Sequence, residues 1–234
     1  MSLLTYIPAR GGSKGIRKKN LSKIGNKRLI DFTLEAAKRI NKESFIFIST
    51  DDVEIFDHCK KKGFDIEYLR PSIFSSDSSL IVDGLLDALE WLKTNKNLFP
   101  TDILLLQPTS PFRNINQINE CIEKYNEQNE ISCVGVSKIL NHPRKSLLIE
   151  DNSWKFLKSD SKQIANRQFY ENNYYYIDGS FYLSKTSFIE KNKSFVVESV
   201  TKPYPMNHKY YLDIDEEEDL DFARAIYDYK IKNE

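Results

Sequence analysis

Arg10, Lys14, Arg17, Lys18 and Lys19 crowd the stretch IPARGGSKGIRKKNL, in a chain of 234 residues whose formal net charge is zero. Gly11, Gly12 and Gly15 are interleaved with them. Glycine lets backbone N–H groups come close to a ligand. Cations at the carboxyl end of a first strand stand where open α/β sheets bind theirs. An anion is the fitting ligand, and a triphosphate matches the charge, although the same residues would also make a solvated basic loop. Neither standard phosphate template is present: GxxxxGK[ST] is absent, and the spacing GGxxG is not GxGxxG.

A second constellation lies near the other end, in YYLDIDEEEDL. Asp213 and Asp215 are two apart on an expected strand, so their carboxylates share a face while Leu212 and Ile214 point to the other. Two neighbouring carboxylates repel unless a cation or proton intervenes. Mg²⁺ (or Mn²⁺) is one reading, because it uses one or two carboxylates plus phosphate oxygens and water. The other is that the acids precede a helix and favour its dipole, which is the reading adopted for Glu216, Glu217, Glu218 and Asp219.

These residues need a scaffold, and the hydrophobic pattern supplies one. Strand-length apolar runs fall at 3–8, 44–49, 66–69, 103–107 and 131–137, with helical spacing at 29–40, 53–62, 80–94 and 115–129. Alternation with long connections implies right-handed crossovers and a mainly parallel central sheet flanked by helices, an α/β fold. The rhythm changes at 139–176, where LLIEDNSWKFLKS reads as a hairpin and RQFYENNYYYIDG as an irregular aromatic run. This segment is expected to be an insertion or lid within a single domain spanning 1–234. Strands then resume with SFYLS, FVVESV and YYLDID, and a helix closes the chain at 216–232. The loop from Ala9 to Asn26 far exceeds a usual βα connection, which points to function.

Composition excludes several classes. With 40% apolar residues the chain can bury a substantial core. Lys+Arg and Asp+Glu balance at 34 each, which argues against a polyanion-binding or membrane-surface protein. No run approaches a membrane span and the start lacks a signal-peptide pattern, so a cytoplasmic protein is expected. Three widely spaced cysteines without CxxC argue against a disulfide framework or a zinc ribbon.

IPARGGSKGIRKKNL resembles the nucleotide-binding signature of the acylneuraminate cytidylyltransferases, the CMP-sialic acid synthetase group, whose pattern runs approximately (I/L)xARxxSKGxxxKN. STDD, LRP with SSDSS, LLLQPTSPFR, HPRK, DGSFYL and DIDEEEDL follow in that family's order and cover nearly the whole chain. The resemblance implies a Rossmann-like nucleotidyltransferase fold and a homodimer in which an extended segment reaches the partner. It also implies transfer of CMP from CTP to a nine-carbon α-keto acid sugar. By the same resemblance Arg10, Gly12, Ser13, Lys14, Lys19 and Asn20 hold the triphosphate, Arg70 and Ser78 serve the nucleoside, and Asp213 and Asp215 hold Mg²⁺ or Mn²⁺. Arg10 and Lys19, with the two aspartates, would carry the catalysis.

For the acceptor sugar, Gln107 and Ser110 of QPTSP would face the pocket, with Lys145 and Arg167 pairing with the acceptor's carboxylate or polar substituents and Phe195 packing on an N-acyl group. No histidine is given a catalytic role. The chain departs from the family where SKGIPRKN becomes SKGIRKKN, where (F/Y)RxNG becomes YYIDG with Tyr176 and Asp178, and where a usual Ser or Thr is Ile81. The last two leave the acceptor open among N-acetylneuraminate, legionaminate, pseudaminate and relatives. The alternatives are a cytidylyltransferase for another keto-sugar acid, such as the 3-deoxy-manno-octulosonate enzymes whose ARxxSxRLPxK loop is missing here, or a catalytically inactive nucleotide- or sugar-binding homologue.

Overall fold

The first strand, LLTYIP, is buried along nearly its whole length, Thr5 included, as a strand covered on both faces requires. The computed structural model describes residues 2–41, 43–139, 143–151, 153–157, 174–207 and 210–233. Its strands are β1 (Leu3–Pro8), β2 (Lys23–Ile24), β3 (Lys27–Arg28), β4 (Ser44–Ser49), β5 (Asp102–Leu105), β6 (Ser132–Lys138), β7 (Leu147–Glu150), β8 (Ser153–Phe156), β9 (Tyr175–Lys185) and β10 (Lys202–Pro205). The helices are α1 (Leu29–Lys38), α2 (Val53–Lys61), α3 (Ile81–Lys96), α4 (Ile115–Glu127), α5 (Thr186–Asn192) and α6 (Glu217–Asn233).

Six strands form one sheet in the order β10-β6-β9-β5-β1-β4. β1 pairs in parallel with β4 and β5, and β10 in parallel with β6, while β9 runs antiparallel to both its neighbours. The sheet is therefore mainly parallel, as expected, with one reversed strand near its middle. The β6–β9 register jumps from Val134 opposite Tyr182 to Val136 opposite Ile177. The extra residues of β9, including Asp178 and Gly179, bulge there beside the cleft described below, a usual place for bulges.

One face of the sheet buries Ile30, Leu34, Ile55, Ile118 and Ile122, from α1, α2 and α4, in a single cluster. The other buries Leu85, Ala88 and Leu92 of α3 with Phe188 and Ile189 of α5. A third, smaller cluster joins Ile16, Ile24 and Leu29 to Ile214, Leu220 and Ala223, so the opening loop is packed on the C-terminal segment.

Four expectations change. Residues 66–69 form no strand and contribute one parallel bridge, Leu69 to Thr50. FVVESV is irregular; the edge strand is β10, just beyond it. YYLDID is extended but joins no sheet. SFYLS does lie in the sheet, but in a strand that begins earlier, inside YYYIDG, so part of the expected insertion is sheet. The first three share a source: apolar content marks burial, and burial alone does not supply a neighbouring strand. The expected hairpin is present as β7–β8, with every residue exposed. α5 was not anticipated.

Candidate active site

The opening loop is held open by its own polar groups. Asn20 Nδ2 donates to the Arg10 carbonyl at 2.8 Å, and Gly11 N–H donates to Asp51 Oδ1 at 3.0 Å. Asp52, next in the sequence, caps α2 by accepting from the N–H groups of Glu54 and Ile55. STDD thus ties the loop to the second strand and helix. Gly15 lies so close to Asp215 that a Cβ would come within 2.3 Å of its carbonyl oxygen, so only glycine lets the two segments meet.

A cleft of about 250 Å³ opens at the carboxyl ends of β1 and β5. Arg10, Gly12, Ser13, Lys19 and Asn20 line one side, Arg70 and Phe74 another, and Gln107 and Thr109 the floor. Arg10 donates to Asp77 Oδ1 at 2.9 Å and to the Ser76 carbonyl at 3.1 Å. Lys14 stands outward, 76% exposed, 3.8 Å from the other Asp77 oxygen. Arg70 is buried and donates to the carbonyls of Ser49 and Phe74. Its buried Nε–H has no partner among the described residues.

Lys19 links the basic loop to the acidic segment. Its side chain is 13% exposed, and its ammonium donates to Asp215 Oδ1 at 3.0 Å and to the Ile214 carbonyl at 2.9 Å. Ile214 is fully buried and its N–H donates to the Thr109 carbonyl at 2.9 Å. Extended backbone at this point turns Asp213 and Asp215 to one side, the alternation expected, achieved without a sheet neighbour. Asp219 accepts from the N–H groups of Asp215 and Glu216, at 2.9 Å each, and caps the turn into α6, in keeping with a structural role for that run.

Asp213 keeps solvent contact, but protein crowds its other sides. Loss of hydration raises its pKa above the ordinary carboxylate value and Asp215 adds to the rise, against the opposing pull of Thr109, Lys19 and Arg113. Gly179, with φ of 71°, sits against this carboxylate: a Cβ there would lie 3.6 Å from Asp213 Oδ2 and 3.7 Å from Gln107 Oε1. Asp213 and Gln107 therefore border one point of the β9 bulge.

Sequence reasoning passed over Arg113, the last residue of LLLQPTSPFR. Its guanidinium donates to Ser180 O at 2.6 Å, to Thr33 Oγ1 at 2.8 Å and to the Gln107 carbonyl. Burial pulls its pKa down to about 9, with the negative charge at Asp213 and Asp178 opposing. It clamps the turn that presents Gln107. An arginine closing a proline-rich turn was the available signal.

A second pocket, of about 520 Å³, shares Ser79, Leu80, Ile81 and Gln107 with the cleft and adds Tyr182 and Phe195. The placements of the sequence candidates then separate. Arg10, Gly12, Ser13, Lys19, Asn20, Arg70 and Gln107 meet in the cleft, and Phe195 lines the second pocket. Ser110 does not reach either: it is buried, and its hydroxyl donates to Gly179 O at 3.2 Å, holding the bulge. Ser78 is displaced by its neighbours, since Ser76 and Ser79 line the cleft while Ser78 exchanges a 3.1 Å hydrogen bond with Ser76. Lys145 lies on the turn Pro143–Lys145 leading to β7, outside both linings. Arg167 falls outside the described residues. Of the two departures on the sugar side of YYIDG, Asp178 is fully buried, accepting from Ser137 Oγ at 2.6 Å and Ser180 N at 2.9 Å, while Tyr176 lines a separate cavity beside Tyr211.

The sequence profile of the cytidylyltransferases matches residues 4–232. The chain belongs to the cytidylyltransferase family. It is 33% identical over 207 residues to the CMP-N,N'-diacetyllegionaminic acid synthase of Legionella pneumophila, covering 88% of each chain. It is 28% identical over 236 residues to an N-acylneuraminate cytidylyltransferase of Streptococcus agalactiae, covering 99% of this chain and 55% of that one. Among solved structures, a CMP:2-keto-3-deoxy-manno-octonic acid synthetase complexed with CTP superposes with a TM-score of 0.72 at 13% identity, over 98% of this chain and 100% of the other. That likeness establishes the Rossmann-like nucleotidyltransferase fold. Among the described residues no helix is long and apolar enough to cross a membrane.

Proposed function

We propose that this cytidylyltransferase moves CMP from CTP to the anomeric hydroxyl of a nonulosonic acid. The hydroxyl oxygen bonds to the α-phosphorus, the bond to the bridging oxygen of the β-phosphate breaks, pyrophosphate leaves and the hydroxyl surrenders its proton. Both reactants are anions, so the work is alignment and charge neutralisation. The observation that carries this reading is Lys19, which lines the cleft and joins the glycine-rich cationic loop to the Asp213–Asp215 segment.

In this reading Arg10, Lys14 and Lys19 neutralise the triphosphate, Arg70 in the cleft wall serves the nucleoside end, and Gln107 orients the acceptor between Asp213 and the second pocket. The acidic pair fits a divalent cation: Asp213 holds a proton more readily than an ordinary carboxylate, largely for want of hydration and partly through repulsion from Asp215. Among the described residues no three His, Cys, Asp or Glu side chains form a ligand set, which suits an ion that takes two carboxylates and completes its shell from phosphate oxygens and water. Mg²⁺ or Mn²⁺, held by Asp213 and Asp215, would offset negative charge on the phosphates.

The same reading includes a homodimer. The hairpin β7–β8 exposes Ile149, Trp154 and Phe156, and the start of β9 exposes Tyr175, Tyr176 and Ile177; a second copy is the natural cover for so much apolar surface. Light scattering at micromolar protein checks it, and a monomeric mass counts against it. The reaction belongs in the cytoplasm, where CTP is made, and its activated sugar would serve cell-surface glycan synthesis. Pyrophosphate release with CTP and a panel of nonulosonic acids tests the activity. Release that needs no acid, or none with any acid, would sink it.

A further inference from the structure

The second pocket is walled largely by carbon. Ile81, Leu105, Phe195 and Val196 form its walls. Phe195 is nearly buried and its ring packs on Tyr182 with centroids 5.8 Å apart, so that wall is rigid. Ile81 opens α3 and cannot swing aside.

The serine hydroxyls in the lining are already in use. Ser194 donates to the Val196 carbonyl at 2.8 Å and accepts from its N–H at 3.1 Å. Ser79 donates to Ile73 O at 3.1 Å and accepts from Ser76 N–H at 3.1 Å. Gln107, Lys193 and the Tyr182 hydroxyl are what remain for an incoming molecule. Three polar groups can orient a sugar acid and satisfy its carboxylate. Against the carbon wall of Ile81, Leu105, Phe195 and Val196 a terminal methyl and acyl methyls gain contact, whereas a terminal hydroxyl gains none.

Nonulosonic acids differ in this respect. N-acetylneuraminate carries one acetamido group and a trihydroxypropyl tail; N,N'-diacetyllegionaminate carries two acetamido groups and ends in a methyl. Resting on the cytidylyl-transfer reading above, we propose that this chain selects a bis-acylamino, terminally deoxygenated nonulosonic acid over a polyhydroxylated one, and that Ile81 and Val196 impose the choice. Ile81 is the one sugar-side departure from the family pattern whose side chain lines this pocket. A carbon-lined pocket discriminates against an added hydroxyl by up to about a hundredfold, which sets the scale of the effect.

The experiment measures kcat/KM for both acids with the full chain and saturating CTP. The expected preference for N,N'-diacetyllegionaminate is about 10- to 100-fold. Ile81→Thr should narrow that ratio by about 5- to 10-fold, mainly by lowering KM for N-acetylneuraminate. Val196→Ser should act in the same direction, and it guards against a fold defect in the first variant, with thermal melts run on both. Equal or reversed preference in the wild type, or a ratio unmoved in both folded variants, overturns the selectivity while leaving cytidylyl transfer intact. Absence of pyrophosphate release with either acid overturns the reaction itself and is told apart by that signature.

Discussion

Asp31 and Asp213 are both carboxylates in crowded surroundings, and the protein treats them in opposite ways. Burial alone would raise the pKa of Asp31, yet the Arg28 N–H, His58 and Lys62 together outweigh it and hold the group below its ordinary value. The Arg28 N–H lies 2.9 Å away, His58 Nε2 2.6 Å and Lys62 Nζ 3.4 Å. Around Asp213 the same loss of hydration wins, because with Asp215 repelling it the rise outweighs the pull of Thr109, Lys19 and Arg113. One carboxylate is held charged by its partners; the other is pushed toward its protonated form by its surroundings. The difference is the one expected between a carboxylate that stabilises the protein and one that serves the proposed chemistry.

Removing charge from the Asp213 side should produce the largest effect. Asp213→Asn or Asp215→Asn is expected to lower kcat at least ~100-fold, through loss of charge stabilisation, with Tm no lower than wild type. Undiminished turnover in both, with a divalent metal still required, would remove the pair from the chemistry. A large fall in Tm would erase the contrast with Asp31.

The cations of the opening loop sharpen the contrast next. Lys19 is enclosed and doubly bonded, whereas Lys14 is open to solvent. Lys19→Ala should lower kcat/KM by roughly 10²–10³, the scale of losing a charge-stabilising donor. Lys14→Ala should cost about 10-fold, the low end for one charged hydrogen bond, and leave Tm unmoved. Steady-state kinetics with CTP varied decides the order, and equal losses would mean that enclosure is irrelevant.

Asp31→Asn should invert the pattern: about 2 kcal/mol of stability lost, from breaking a buried, partnered charge, with near-normal kcat. Because the folded pKa of Asp31 is depressed, its contribution is present above the unfolded value of about 3.9 and is lost as pH falls through the lower folded value. Urea midpoints across acid pH should therefore fall more steeply for the wild type than for the variant. Parallel curves would contradict the assignment. The smallest effect belongs to Asp77, which pairs with Arg10 and Lys14 on the exposed rim. Asp77→Ala frees both cations, and KM for CTP should fall about 2- to 5-fold, the worth of a surface pair. A raised KM would give Asp77 a role of its own.

Much of this architecture was legible in one dimension. α1, α2, α3, α4 and α6 announce themselves by periodicity, and β1, β4, β5 and β6 by short apolar runs, because each is built from contacts within reach of its own backbone. The basic loop was legible for the same reason, since five cations in ten residues cannot escape one another. The reversal of β9, the edge position of β10 and the lone extended segment of Asp213 and Asp215 were not, because strand pairing joins residues far apart in the chain. Tertiary structure alone decided which polar groups are spent. Ser110 and Ser78 look like Gln107 and Ser13 on paper, and Asp31 looks like Asp213. Only the folded chain shows that the hydroxyl of Ser110 is taken by Gly179, that Asp31 already has three partners, and that Lys19 reaches across 196 positions to Asp215. Hydrogen-bond capacity is a property of the whole fold, and what remains unspent is what a ligand can use.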